Sequence, residues 1–149
     1  MKKNLFVICL ALLSFVSQNV TAETYSGVDG NITWILDAGT GVLTLSGNGP
    51  MNDYGSEDNP SPWRCYRDVI NTIVVEDGIE SIGGFAFYDL GTVSSVTLPQ
   101  SVKGIGGGAF GACQITEPFS LPQNLQSIGE GAFGGISGNI NQHIQKTNF

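Results

Sequence analysis

The chain is predicted to fold as a β-rich solenoid of stacked units, short parallel strands joined by turns, with a β-hairpin capping its N-terminal end. The first observation behind this is a spacing: Ile82, Ile105 and Ile128 lie 23 residues apart, as do Phe87, Phe110 and Phe133, and Val75, Leu98 and Leu121. Self-similarity at a fixed interval of this size marks a chain built from repeated supersecondary units. The second is the pattern inside a unit, where Val93, Val96 and Leu98 follow an L-x-x-L-x-L spacing whose last pair alternates as a short strand does. The third is energetic. The apolar side chains of one unit, at roughly 1.5–3 kcal/mol each, do not offset the cost of about 1–2 kcal/mol for ordering each backbone residue. Stability therefore has to come from stacking, with the terminal faces covered.

The N-terminus reads as an export signal over residues 1–22. Lys2 and Lys3 precede an apolar run from Leu5 to Val16 broken only by Ser14, and Val20-Thr21-Ala22 supplies small residues before Glu23. The run is too short for a spanning helix, which needs about 20 apolar residues, so no transmembrane segment is expected after cleavage. Cys9 follows Ile8 inside the apolar run, which is not the placing of a lipid-modified cysteine. The expected location is secreted or at the cell surface. Cleavage would leave 127 residues carrying four basic against 13 acidic side chains, a formal charge of −9 that makes nucleic acid and anionic membranes poor partners. Asn31-Ile32-Thr33 would be glycosylated only in a eukaryotic secretory pathway.

Three full units span residues 70–138. Pro99 and Pro122 follow their strands directly, where a missing amide donor ends sheet pairing. Within the middle unit Ser94, Ser95 and Thr97 are expected to face solvent. A glycine-rich stretch then leads to Ala109-Phe110, where one short helical or 3₁₀ turn is the most that fits. The phenylalanines should form one stacked column, with Ala86, Ala109 and Ala132 letting neighbouring coils approach. Cys113 falls at the position of Leu90 and Ile136 and reads as a small core residue in preference to a disulfide partner of Cys65.

Residues 23–69 read as the N-terminal capping module. Ile32, Trp34 and Leu36 alternate, residues 37–41 are turn-rich, and Leu43 and Leu45 alternate again, which is a β-hairpin with one apolar face. Gly47 to Pro62 is expected to be a polar loop, pinned to the body by Trp63. Residues 139–149 keep only Ile144 at a core position, so they read as a degenerate partial repeat or tail.

Little in the chain points to chemistry. Gly106 to Gly111 spells G-x-G-x-x-G, but the glycines recur in the other units and no βαβ unit surrounds them, so they are turn glycines. The single histidine, His143, lies in the weakly patterned tail, leaving no base for a nucleophile and no transition-metal set. The acidic loop of residues 52–59 lacks the spacing of an EF-hand. No catalytic residue, metal site or cofactor is expected, and the chain is not read as an enzyme.

The unit L-x-x-V-x-L-P-x-S-V-x-x-I-G-x-x-A-F-x-x-C resembles the BspA-like class of leucine-rich repeats. Val93 to Cys113 follows it almost position by position, and Phe119 to Phe133 follows it well. The segment from Trp34 to Met51, with Trp63 downstream, is similar to the module often placed before such repeats. The resemblance implies a leucine-rich-repeat solenoid on an exported or cell-surface protein, with adhesion to host matrix or to other cells as the implied role. The expected binding surface is the sheet face bearing Thr72, Val74, Ser95, Thr97, Pro118 and Ser120, with the loop that carries Tyr54. Its ligand would be a protein or a glycan. The alternative is a structural repeat protein that self-associates through its C-terminal end or docks on an envelope component.

Overall fold

The computed structural model describes residues 22–55 and 57–136. The expected signal peptide apart from Ala22, Ser56, and the tail with Ile144 and His143 lie outside the described residues. β1 (Thr24–Asp29), β2 (Ile32–Asp37) and β3 (Val42–Gly47) form an antiparallel meander. The expected hairpin is thus three strands. β1 has few apolar residues and a weak alternation, but it joins β2 through Gly30-Asn31, a two-residue hairpin signal, and its Tyr25 packs on Tyr66 with ring centroids 4.4 Å apart. The β2–β3 turn is organised by Asp37, whose Oδ1 accepts the amide hydrogen of Gly39 at 2.9 Å.

The meander is continuous with the repeats. β3 pairs in parallel with β5 (Thr72–Val75), and β5 with β7 (Ser95–Thr97), which gives a five-stranded sheet in the order β1-β2-β3-β5-β7. A second sheet is wholly parallel, formed by β4 (Gly49–Pro50), β6 (Ile79–Ile82), β8 (Gly104–Ile105) and β9 (Ser127–Ile128), in that order. The pairs Thr72↔Ser95, Ser81↔Gly104 and Gly104↔Ser127 show that each 23-residue unit adds one rung. The third side of the coil is held by its own ladder, in which the amides of Phe87 and Asp89 donate to the carbonyls of Ala109 and Gly111 at 2.8 and 2.9 Å. Phe110 and Ala112 repeat the same bonds to Ala132 and Gly134 at 2.7 and 2.8 Å.

The core is a set of columns running through the rungs. Phe87, Phe110 and Phe133 stack as expected, with centroids 5.1 and 5.4 Å apart. Trp63 extends the column at 5.6 Å from Phe87, and its Nε1 donates to the carbonyl of Ala86 at 2.8 Å, so the anchor expected of this tryptophan is a member of the repeat core. Cys113 is buried where Leu90 stands one unit earlier, and its thiol lies 3.1 Å from the Phe87 carbonyl. Burial pushes its pKa up to about 12, with the Asp89 charge a lesser cause.

Two expectations are corrected. Gly47 to Pro62 is not simply a polar loop: β4 lies on β6, Met51 and Tyr54 are buried, and the Tyr54 amide donates to the Gly84 carbonyl at 2.8 Å. The segment makes a rung whose sequence departs from the 23-residue pattern. The segment around Ala109-Phe110 holds only single turns with i→i+3 bonds, within the one short helical or 3₁₀ turn expected there. Overlapping four-residue turns are closed by Ala109 N to Gly106 O at 3.3 Å and Gly111 N to Gly108 O at 3.0 Å, with positive φ at Gly108 and Ala112. The second correction is that the third unit forms no strand in the first sheet. Thr116 and Glu117 both donate to the Ser94 carbonyl at 3.1 Å, and pairing stops at Pro118, which has no amide hydrogen.

Candidate functional site

The outward face of the first sheet is the candidate site. Alternation along each strand turns Ile32, Trp34, Leu36, Leu43, Leu45, Ile73, Val75 and Val96 into the core and the residues between them outward. The register then aligns Ser26, Ile35, Thr44, Val74 and Thr97 in one row across all five strands. At a strand spacing of about 4.8 Å this row runs about 19 Å. A second row holds Asp37, Val42, Thr72 and Ser95. Asp37 is the only charged residue among the outward strand positions, and its carboxylate is engaged by the Gly39 and Thr40 amides. A chain with so marked an excess of acids thus presents one face of hydroxyls and methyls.

The structure brings four of the seven sequence-predicted residues together. Thr72 and Ser95 are cross-strand neighbours, as are Val74 and Thr97; Thr97 is exposed and the other three are half-buried. Pro118 and Ser120 are exposed beyond β7 but belong to no strand, for the reason given above. Tyr54 is not a free loop side chain. It is 8% exposed, its ring meets Trp63 edge-on at 5.6 Å, and its hydroxyl donates to Asp29. Burial, then the hydrogen bond and charge of Asp29, raise its pKa well above the usual phenol range.

The meander residues of the face were missed from sequence: Ser26, Val28 (72% exposed), Ile35 (46% exposed) and Thr44. Their signal was available in the Thr33, Ile35 and Thr44 positions between core residues, but only the β3–β5 pairing shows that they share a surface with the repeats. The G-x-G-x-x-G run is a stack of turns. A Cβ on Gly106 would overlap the backbone of Gly84, and one on Gly129 the backbone of Gly107. Two side chains of the acidic loop bond to the body, while Glu57 and Asp58 stay exposed. Asp53 Oδ1 accepts the Gly84 amide at 2.7 Å, and Asn52 Nδ2 donates to Asp29 at 3.1 Å. Among the described residues no group of three or more His, Cys, Asp or Glu is placed to hold a metal ion, and no helix is long and apolar enough to cross a membrane.

Short parallel strands repeating every 23 residues around aromatic and aliphatic columns define a leucine-rich-repeat scaffold. The chain belongs to the BspA type leucine-rich repeats: the model of that repeat region matches residues 64–148 in six copies. A crystal structure of a leucine-rich repeat protein from Eubacterium ventriosum ATCC 27560 is similar at 32% identity with a TM-score of 0.71, over 78% of this chain and 31% of that one. The chain therefore spans less than a third of the length of that protein. No curated protein sequence matches it. Repeats of this family are scaffolds for protein interaction.

Proposed function

We propose that this chain is an exported, non-catalytic binding module of the cell surface that takes a protein or glycan ligand, host matrix included, on the outward face of its first sheet. The observation that carries the reading is the row Ser26–Ile35–Thr44–Val74–Thr97, an uncharged, partly apolar strip on an acidic protein. Desolvating hydroxyls and methyls costs far less than desolvating carboxylates, so a partner is met here at the smallest electrostatic cost. The apolar run of residues 5–16 supports export. In this reading the β1–β3 meander both closes the N-terminal end of the stack and enlarges the binding face.

The test is a screen of the purified protein against immobilised extracellular-matrix proteins and a glycan array, followed by the triple variant Ile35→Lys, Val74→Lys, Thr97→Lys. All three side chains lie outside the core, so the circular dichroism spectrum should be unchanged. Binding should fall by at least about tenfold, since three buried ammonium groups oppose the contact. Undiminished binding by a folded triple variant would remove this face from consideration.

A further inference from the structure

Phe85 stands in a backbone conformation that its counterparts fill with glycine. Its φ is +53°, against +62° for Gly108 and +65° for Gly131 at the same place in the next two units. A bulky L-residue is disfavoured there, and such strain persists where the surroundings or the function require it. Burial is an incomplete reason for keeping the side chain, because Phe85 remains 38% exposed.

The ring is held in place with a second one. Phe85 and Tyr88 meet edge to face, centroids 5.4 Å apart, and both rest on glycines of the next unit. A Cβ on Gly108 would lie 2.8 Å from Phe85 Cε1, and one on Gly111 would lie 2.9 Å from Tyr88 Cδ2. Arg64 sits 5.7 Å from the Tyr88 ring centroid and reaches Asp89 Oδ2 at 3.0 Å; Arg67 reaches the same oxygen at 2.8 Å. The paired Arg67 and Asp89 also line, with Asp68, Gly91 and Thr92, a shallow cleft of about 200 Å³ that the two rings themselves do not line. All of this lies on the turn side of the coil, separate from the sheet face proposed above.

We infer that the Phe85–Tyr88 pair and the adjoining cleft form a binding site for a neutral carbohydrate. An exposed aromatic ring matches the C–H face of a pyranose, which is apolar and carries a slight positive charge toward the π-cloud. Sugar hydroxyls both donate and accept, and the cleft offers the Arg67 guanidinium as donor beside the Asp68 and Asp89 carboxylates as acceptors. Arg64 and Arg67 against Asp68 and Asp89 leave no net local charge, which favours a neutral ligand over an anionic one. Two rings and a cleft of this size fall well short of the roughly 800 Å² per partner of a stable protein interface, so a short glycan segment is the fitting occupant.

The experiment is saturation-transfer NMR and calorimetry on the purified protein with hexasaccharides of β-linked glucose, β-linked mannose and N-acetylglucosamine, and with a proline-rich peptide as competitor. At least one oligosaccharide should bind with transfer from aromatic protons. Phe85→Gly and Tyr88→Ala should each weaken it by about tenfold, the scale of one lost ring contact. Phe85→Gly should melt within a few degrees of the parent, because it exchanges lost ring packing for relief of the backbone. Arg67→Gln, at an exposed position, should weaken binding without changing melting. The inference is overturned if none of the three oligosaccharides binds, if binding survives both ring variants, or if only the proline-rich peptide binds.

Discussion

Gly83, Gly106 and Gly129 mark where successive rungs touch through their backbones. A Cβ at Gly83 would overlap the carbonyl of Asn52, and at Gly106 and Gly129 the backbone one unit earlier. Gly106→Ala is expected to destabilise by about 3 kcal/mol, because the obstacle is main chain and cannot rotate away. Urea unfolding followed by circular dichroism measures it, and a cost under about 1 kcal/mol would show that the rungs slide apart easily. Cys113 makes a second prediction. Its pKa is raised from 9.0 to about 12 in the folded protein, so above pH 9 the unfolded chain binds fewer protons than the native one. The stability that the buried thiol contributes is therefore present below pH 9 and is lost as pH rises toward about 12. In the native protein at pH 8, iodoacetamide should modify exposed Cys65 and leave Cys113 intact until the chain unfolds, as mass spectrometry of the two peptides will report. Cys113 was legible from its repeat position alone. Tyr54 was not, because its burial is created by Asp29, 25 residues earlier, and by Trp63.

Among the elements, the strands report which local signals survive assembly. β2 and β3 were readable because one face of each is wholly core. β1 was not, since it has few apolar residues and is held to β2 by backbone hydrogen bonding, which any sequence can supply. The third unit shows the converse, since Phe119 and Leu121 keep the strand pattern while Pro118 removes the amide that pairing requires. Pro118→Ser, which restores the residue type of Ser95, should extend the first sheet by one rung. Amides 118–120 should then gain protection from hydrogen exchange, with stability up by about 1 kcal/mol for the added bond. Exchange at the parent rate would show that the tilt of Phe119 against Phe133, rather than the missing donor, keeps the strand away.

For the whole molecule, the column Trp63–Phe87–Phe110–Phe133 ties the rungs into one system. A stacked-repeat chain has nearest-neighbour coupling, and no unit is stable by itself. Phe110→Ala removes the ring between Phe87 and Phe133 and should cost about 3–5 kcal/mol. The loss should reach the N-terminal end. Unfolding followed by the fluorescence of Trp34 and Trp63 should shift together with that followed by far-UV circular dichroism, and a shift in the second alone would mean that the meander and first rungs fold independently.

The sequence by itself determined the repeat length, the parallel stacking, the phenylalanine column and the structural role of the glycines, because each is a periodic demand that every unit has to meet with the same residue type. Only the tertiary structure decided which surfaces those units share. The meander's place beside β5, the burial of Tyr54 and the meeting of Arg64 with Tyr88 and Asp89 all depend on contacts between segments far apart in the chain. Such contacts are set by backbone hydrogen bonding and by packing against the aperiodic first rung. A period says what repeats, and the candidate binding surfaces lie largely where the chain departs from it.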